Sequence, residues 1–411
     1  MDIAVVGAGV SGLVAAHLLK DQHEVTVFEA AAYAGGHTNT IRVDSAYETH
    51  DVDTGFIVFN DRNYPEFTRL LGALGVEHQP SHMSFAVADE RGDFEYSSGS
   101  VGGLFAKTSH AVSPRFQRMV LDYVRFNKKA RELLADPVGD PSLGEWLGGC
   151  GFSRAFVERL IVPQASAVWS ADPDQMWAFP ARFLVEFFDN HGMLELTGRP
   201  KWMTVKGGSQ RYVERLVQPF QDRLRLSCPV ARIERFDDRV ELTPVDGPAE
   251  VFDAVVLAVH SDQALRMLGD PSRAEREVLG GIPYQANEAV LHTDRTLLPR
   301  RRRAWSSWNY HLLSEPAGRT TVTYHMNRLQ SLSARDEYCV TLNRTKAIAP
   351  EKVIRTISYA HPVFSTESAI AQKRHGELNG VNRTYYCGAY WGWGFHEDGV
   401  VSALRACAPL L

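Results

Sequence analysis

The chain has 411 residues, 44% hydrophobic and 23% charged, with a formal net charge of −5. That length suggests two or three domain-sized units able to enclose a sizeable ligand, and the slight acidity leaves no electrostatic case for nucleic acid as the main partner. Five cysteines, at 150, 228, 339, 387 and 407, form no C-x-x-C pair and no zinc-like cluster; they argue against a disulfide scaffold or a metal site and for reduced thiols in a cytoplasmic setting.

Residues 3–6, IAVV, read as a buried parallel strand ended by glycine. GAGVSG then sets Gly7, Gly9 and Gly12 in G-x-G-x-x-G spacing, LVAAHLLK reads as a helix, and HEVTVFE is a second strand ending at Glu29. Gly7 permits the tight strand-to-helix turn, Gly9 admits a pyrophosphate to the backbone, and Gly12 lets the helix pack on the strand. The helix N-terminus, with Ser11 in its first turn, offers free N–H groups to phosphate. Glu29 can accept both ribose hydroxyls of an adenosine. Strand, glycines, helix, strand and acid in this order predict a dinucleotide-binding α/β fold. Asp2 stands where a signal peptide would be basic, and no apolar run is long enough to cross a bilayer.

A second doublet, Gly35-Gly36, follows in AAAYAGGHTNT, and DVDTGF carries Asp51 to Phe56. From about Glu66 to Pro200 the chain reads as mainly helical; in 114–134, Phe116, Met119, Val120, Tyr123, Phe126 and Leu133 recur at three-to-four spacing among Arg and Lys. VKGGSQRYVERLVQPF opens an amphipathic helix on a glycine doublet. LRLSCPVARIERF and RVELTP read as strands, and FDAVVLAVHSDQALRML as a buried strand running into a helix. From about 269 to 375, runs such as RTTVTYHM and EYCVTLN suggest antiparallel strands. Arg300 to Arg303, flanked by Leu297, Leu298 and Trp305, read either as a solvated basic turn or as a contact with an anionic membrane surface. The last segment is a strand, Gly388, the loop AYWGWGFHE, and Asp398-Gly399 opening a helix with Asp398 as N-cap. Core strands do not mix rings, glycines and charges in this way.

The N-terminal run through Gly35-Gly36, the Asp-x-Gly segment and the terminal segment together resemble the flavin amine oxidase superfamily, which includes protoporphyrinogen oxidase and phytoene desaturase. The resemblance spans nearly the whole chain. It implies an α/β fold: a Rossmann-like FAD-binding domain of glutathione-reductase type from residues 1–65, 201–268 and 373–411, and a discontinuous α+β substrate domain of amine-oxidase type from 66–200 and 269–372. It implies cofactor contacts at Gly7, Gly9, Ser11, Gly12 and Glu29, at Gly35, Gly36, His37 and Thr38, at Gly55 where backbone passes the flavin ring, and at Val230 on the adenine edge. At the C-terminus it implies contacts from Gly388, Phe395, Asp398, Gly399 and Val400, with N–H groups aimed at the flavin's N1 and C2 carbonyl, while Trp391 and Trp393 wall the ring and substrate. His37 stands where the family usually has Arg, and Phe395 where amine oxidases place Tyr. Cys387 precedes Gly388 outside the Ser-x-x-Cys-Tyr setting of covalent relatives, so FAD is expected to bind without a covalent link.

The runs GGHTNT, RRRRAWSSWNYH, TYHMNRLQSL, YCVTLN and YAHPVF are similar to those of a bacterial branch of predicted NAD/FAD-binding proteins, whose members resemble enzymes that work beside lipid methyltransferases, including the flavin-dependent desaturase of furan fatty acid formation. That implies an FAD-dependent oxidoreductase acting on a long-chain fatty acyl phospholipid, as a desaturase or in related C=C dehydrogenation, reduction or isomerisation. It also implies a peripheral position on the inner face of the membrane, through Arg300, Arg301, Arg302, Arg303 and Trp305, and a lipid methyltransferase as partner. The alternatives are an amine or polyamine oxidase, and a non-catalytic FAD-stabilised protein that presents lipid. His311, His325 and Tyr324, in a strand-rich zone expected to line the cavity, and Lys206, before a glycine doublet, are the candidate catalytic groups.

Overall fold

A computed structural model describes residues 1–411 except 46, 137–138, 196–197 and 316. Its first layer is a parallel five-stranded sheet. The central strand is Asp2–Val6, with Glu24–Phe28 on one side and Ala254–Leu257 on the other; Leu224–Arg225 and Thr384–Tyr386 form the edges. Side chains alternate across it. Ile3 and Val5 join Leu13 and Val14 of the helix Val10–Leu19 in one core, while Ala4 and Val6 face Val230, Ile233 and Leu242 of an antiparallel meander on the other side. Both faces are therefore covered, which explains why these strands read as continuous apolar runs.

The second layer is a seven-stranded sheet. Val353–Pro362, Tyr284–His292, Cys339–Leu342, Val322–His325, Trp308–Leu312, Phe85–Asp89 and Glu95–Ser97 lie in that spatial order, antiparallel except where Trp308–Leu312 runs parallel to Phe85–Asp89. The helices Pro114–Ala135, Val162–Trp169 and Ala181–Asn190 pack with it in an aromatic-rich core. Ser113 caps the longest of them, accepting the Phe116 N–H at 3.3 Å, and Pro114 occupies its first turn.

The stretch 66–200 is not simply helical, since it supplies the strands Phe85–Asp89 and Glu95–Ser97. The sequence FEYSSGS hides the second because Glu95 looks like a surface residue. In the fold Glu95 is buried against the Arg301 guanidinium, which supplies the partner a buried carboxylate requires. Among the described residues, no helix is long and apolar enough to cross a membrane, and no group of His, Cys, Asp or Glu side chains is placed to hold a metal ion.

Candidate active site

A single cavity of about 1210 Å³ runs between the two sheets. One end starts at Glu29 and Val230, passes Gly9, Ser11, Gly35 and Gly36, and reaches His37, Gly55 and Phe395. Local geometry explains each glycine differently. A Cβ on Gly12 would sit 1.9 Å from the Gly7 carbonyl oxygen, so Gly12 is required for helix packing. A Cβ on Gly9 would meet no protein atom within 4 Å, so that position opens on the cavity. Gly35 and Gly36 have φ of +127° and +59° and bring the chain back against Gly9. Glu29 accepts the Ala8 and Ala31 N–H groups at 2.7 and 2.8 Å, which fixes its carboxylate beside the turn while lone pairs remain for a ribose.

The other end is wide and apolar. Phe85, Leu104, Met119, Val120, Leu160 and Trp308 line it with Tyr324, Trp169 and His191. The loop after Gly388 closes the junction between the two halves. Trp393 and Phe395 face the cavity, the Trp393 carbonyl accepts the Trp169 Nε1–H at 3.1 Å, and Phe395 stacks on Phe187 with centroids 5.2 Å apart.

Residues 10–411 match the family of flavin containing amine oxidoreductases. The chain belongs to this family. It is a family of FAD-dependent oxidoreductases, and FAD is the cofactor. A flavin-containing monoamine oxidase, AofH, of Mycobacterium tuberculosis is 27% identical over 286 residues, which cover 66% of this chain and 59% of that protein; the match thus spans about six tenths of the curated relative's length. Two solved structures share the fold across the whole chain and 98% of their own: cyclohexylamine oxidase from Brevibacterium oxydans IH-35A, with TM-score 0.70 and 16% identity, and a CLA-producing fatty acid isomerase from P. acnes, with TM-score 0.69 and 17% identity.

The residues present fit FAD. The open space at Gly9 lies at the start of the helix Val10–Leu19, where free N–H groups favour phosphate. Glu29 and Val230 stand at the adenosine end, and Trp393 and Phe395 offer flat faces at the other.

Several residues expected at the cofactor act one step behind it. Thr38 is buried in a hydrogen-bonded triangle with the Tyr212 hydroxyl at 2.5 Å and His396 Nε2 at 2.9 Å, so it pins the C-terminal helix instead of lining the cavity. A Cβ on Gly55 would lie 2.2 Å from the His37 carbonyl oxygen, so this glycine is demanded by two crossing segments as well as by the cavity it borders. The last helix begins at His396, with Phe395 as N-cap, so Asp398 is not the cap residue. Its carboxylate reaches back to accept the Phe395 N–H at 2.9 Å, and burial pushes its pKa up to about 6. Gly399 and Val400 are buried away from the cavity; a Cβ on Gly399 would come 2.7 Å from Val10 Cγ1. Trp391 also lies outside the cavity, packed edge-on to His375 with centroids 4.6 Å apart.

Of the four catalytic candidates, only Tyr324 lines the cavity. Burial holds its phenol far above the ordinary range, so it remains protonated. His311 faces the other side of the sheet. There His292, Thr341, Thr323 and His311 form a ladder of bonds of 2.7, 2.7 and 2.8 Å, which Arg344 closes at 3.0 Å. Desolvation lowers the His311 pKa to about 3, so it is a structural acceptor and not a base. His325 is bound to Glu337 at 2.7 Å and packs edge-on to Trp305, also outside the cavity. Lys206 is exposed and paired with Glu77 at 2.8 Å; the doublet beside it exists because a Cβ on Gly208 would strike Thr40.

Arg300, Arg302 and Arg303 are exposed and Arg301 is half-buried, and several of them also contact the protein. Arg300 donates to the Glu90 carbonyl at 3.1 Å, Arg301 pairs with buried Glu95, Arg302 lies over Trp305 at 4.9 Å, and Trp305 Nε1–H donates to the Pro299 carbonyl at 2.6 Å. Leu297 and Leu298 are buried, so they pack inward, while Trp305 is half-buried. Arg303 is exposed.

Sequence reasoning missed His191. It ends the helix Ala181–Asn190, stacks on Phe187 at 3.9 Å and faces Trp393 at 6.3 Å across the cavity. The only signal was a His-Gly pair closing an aromatic helix.

Proposed function

We propose that this flavoenzyme acts on the carbon chain of a long-chain fatty acyl substrate, introducing, removing or shifting a C=C bond. The observation that carries the reading is the lining of the wide end. Among the described residues Glu29 is the only carboxylate bordering the cavity, and it stands at the adenosine end. An ammonium substrate would lose its hydration there without an anion to replace it, whereas each buried methylene contributes about 0.8 kcal/mol. The fold, shared with a fatty acid isomerase as well as with amine oxidases, is compatible with this reading.

FAD, when bound, supplies two-electron redox chemistry. The chain's own residues do the rest. Trp393 and Phe395 hold the substrate flat, the apolar wall excludes water, and Tyr324 places one protonated hydroxyl inside it. Arg199 and Val101 both border the cavity and are exposed, so they mark its rim; Val101 is 76% exposed, and Leu121 and Val124 on the neighbouring helix are 61% and 55% exposed. With exposed Arg118, Arg125 and Lys128 on the same helix, this face, like the exposed arginines of 300–303, suits a peripheral approach to an anionic bilayer. A cytoplasmic, membrane-peripheral enzyme exchanging acyl lipid with a lipid methyltransferase fits this arrangement.

The test pairs mass spectrometry of lipid extracts from cells with and without the gene with anaerobic mixing of the purified yellow protein with acyl phospholipid vesicles or polyamines. A changed double-bond pattern that depends on the gene supports the proposal. Unchanged lipids with flavin bleached by polyamines would establish an amine oxidase. Lipid bound unaltered to a flavin that dithionite cannot reduce would identify a lipid-presenting protein.

A further inference from the structure

His37 stands directly after the second glycine doublet, and two more imidazoles converge on it. Each arrives from a different element. His37 follows Gly36, whose Cβ would come 3.2 Å from Gly9 Cα. His260 follows the strand Ala254–Leu257, at whose end the Ala258 carbonyl crowds Gly7. His361 comes from the strand Val353–Pro362 of the other sheet. The His37 ring centroid lies 5.3 Å from that of His361 and 6.3 Å from that of His260, and all three rings line the cavity beside the glycine turn.

We infer that His37, His260 and His361 form an imidazole cradle for the pyrophosphate of FAD, and that the cradle takes up a proton when the cofactor binds. The hydrogen bonds fix the roles. Asn287 Nδ2 donates to His361 Nδ1 at 2.9 Å, and the Asn287 oxygen is itself fixed by Asn343 at 2.7 Å. His361 Nδ1 is therefore the acceptor, and Nε2 carries the proton. The His260 backbone N–H donates to the Gln263 side-chain oxygen at 3.2 Å, which holds this residue at the start of its helix. His37 Nε2 has no hydrogen-bond partner among the described residues, a costly state for a nitrogen inside a protein unless a ligand completes it.

The groups around the cluster supply little net charge. His37 is stacked on Tyr359 at 4.8 Å and feels His361, His260 and, more distantly, His396. His260 is stacked on Tyr284 at 4.2 Å and faces Asp262 and Arg266, which pair with each other at 2.7 Å. Burial, followed by repulsion from the other imidazoles, keeps His37 neutral, and the same effects bring His361 down to about 4. A pyrophosphate placed among the rings reverses this balance, because a close anion favours the protonated ring. A fixed arginine would hold the phosphates equally well at any pH near neutrality. The imidazoles tie cofactor retention to proton concentration.

The experiment titrates FAD into the deflavinated full-length chain by calorimetry at pH 6, 7 and 8, in buffers of differing ionisation enthalpy. FAD has no group of its own that titrates in this range. The dissociation constant is expected to rise several-fold, and up to tenfold, for each pH unit, with up to one proton taken up per FAD at pH 7. His37→Arg is expected to keep FAD and flatten the pH dependence. If its melting temperature shows misfolding, His361→Asn supplies the same readout as a reduced slope. A pH-independent dissociation constant without proton uptake, or a folded His37→Arg protein with the parent's slope, would overturn the inference.

Discussion

Asp398 accepts the N–H of Phe395 at 2.9 Å from within the first turn of the helix that Phe395 begins. A Cβ on Gly392 would lie 2.1 Å from its Oδ1, so the aromatic loop is folded around this carboxylate. Asp398 thus sets the aromatic wall from outside the cavity lining. Asp398→Ala should lower stability by about 1–3 kcal/mol, the cost of stranding buried donors. It should also broaden or shift the visible flavin band as Trp393 and Phe395 lose their positions. Thermal melting with the absorption spectrum of the holoprotein tests both; an unchanged spectrum would place the loop's rigidity elsewhere.

Gly9 and Gly12 should fail in different ways. Gly9→Val adds bulk to open cavity, so the chain should fold and elute colourless. Gly12→Ala drives a Cβ into the Gly7 carbonyl and should reduce folded yield itself. Glu29→Ala should weaken FAD binding without abolishing it. Circular dichroism and flavin content per chain separate the three outcomes. The yellow colour should leave the protein on acid precipitation, because the bond to FAD is expected to be non-covalent.

The two tryptophans of the terminal loop give a paired test. Trp391→Ala truncates a core side chain and should cost about 3–5 kcal/mol with a normal flavin spectrum in the folded fraction. Trp393→Ala opens the cavity and should alter the flavin band or slow flavin reduction with a smaller loss of stability. Equal stability losses with identical spectra would reduce both rings to packing.

Acid should destabilise the flavin-free protein earlier than its carboxylates alone would dictate. Burial lowers the pKa values of His110, His191, His292, His361 and His375 to about 4 and those of His311 and His396 to about 3. As pH falls below about 6.5, the unfolded chain binds protons on these rings while the folded chain does not, so stability falls. Asp53 and Asp398, raised to about 6, act in the opposite sense between about 4 and 6, because there the folded state holds the extra protons. Seven rings outweigh two carboxylates, so the melting temperature should climb from about pH 4.5 to 6.5 and level off above 7. A melting temperature flat across that window would show the rings to be hydrated.

The sequence alone determined the parts whose cause is local. The turn at Gly7, the opening at Gly9 and the close packing at Gly12 depend on backbone within a few residues, so their spacing specified strand, turn and helix before any long-range contact was known. The apolar runs 3–6 and 254–257 marked strands covered on both faces, and the periodicity of 114–134 marked its helix. The tertiary structure decided which face of each strand meets the cavity. Tyr324 and Trp308 are paired across neighbouring strands and line the cavity, while Thr323 and His325, each next to Tyr324, and His311, three residues from Trp308, lie outside it. A shift of one residue in register would exchange the two sets, and alternation in the sequence reads the same either way. The meeting of His37, His260 and His361 was equally hidden. They are separated by more than two hundred residues at the first step and a hundred at the second, and only the closure of one sheet on the other brings their rings together.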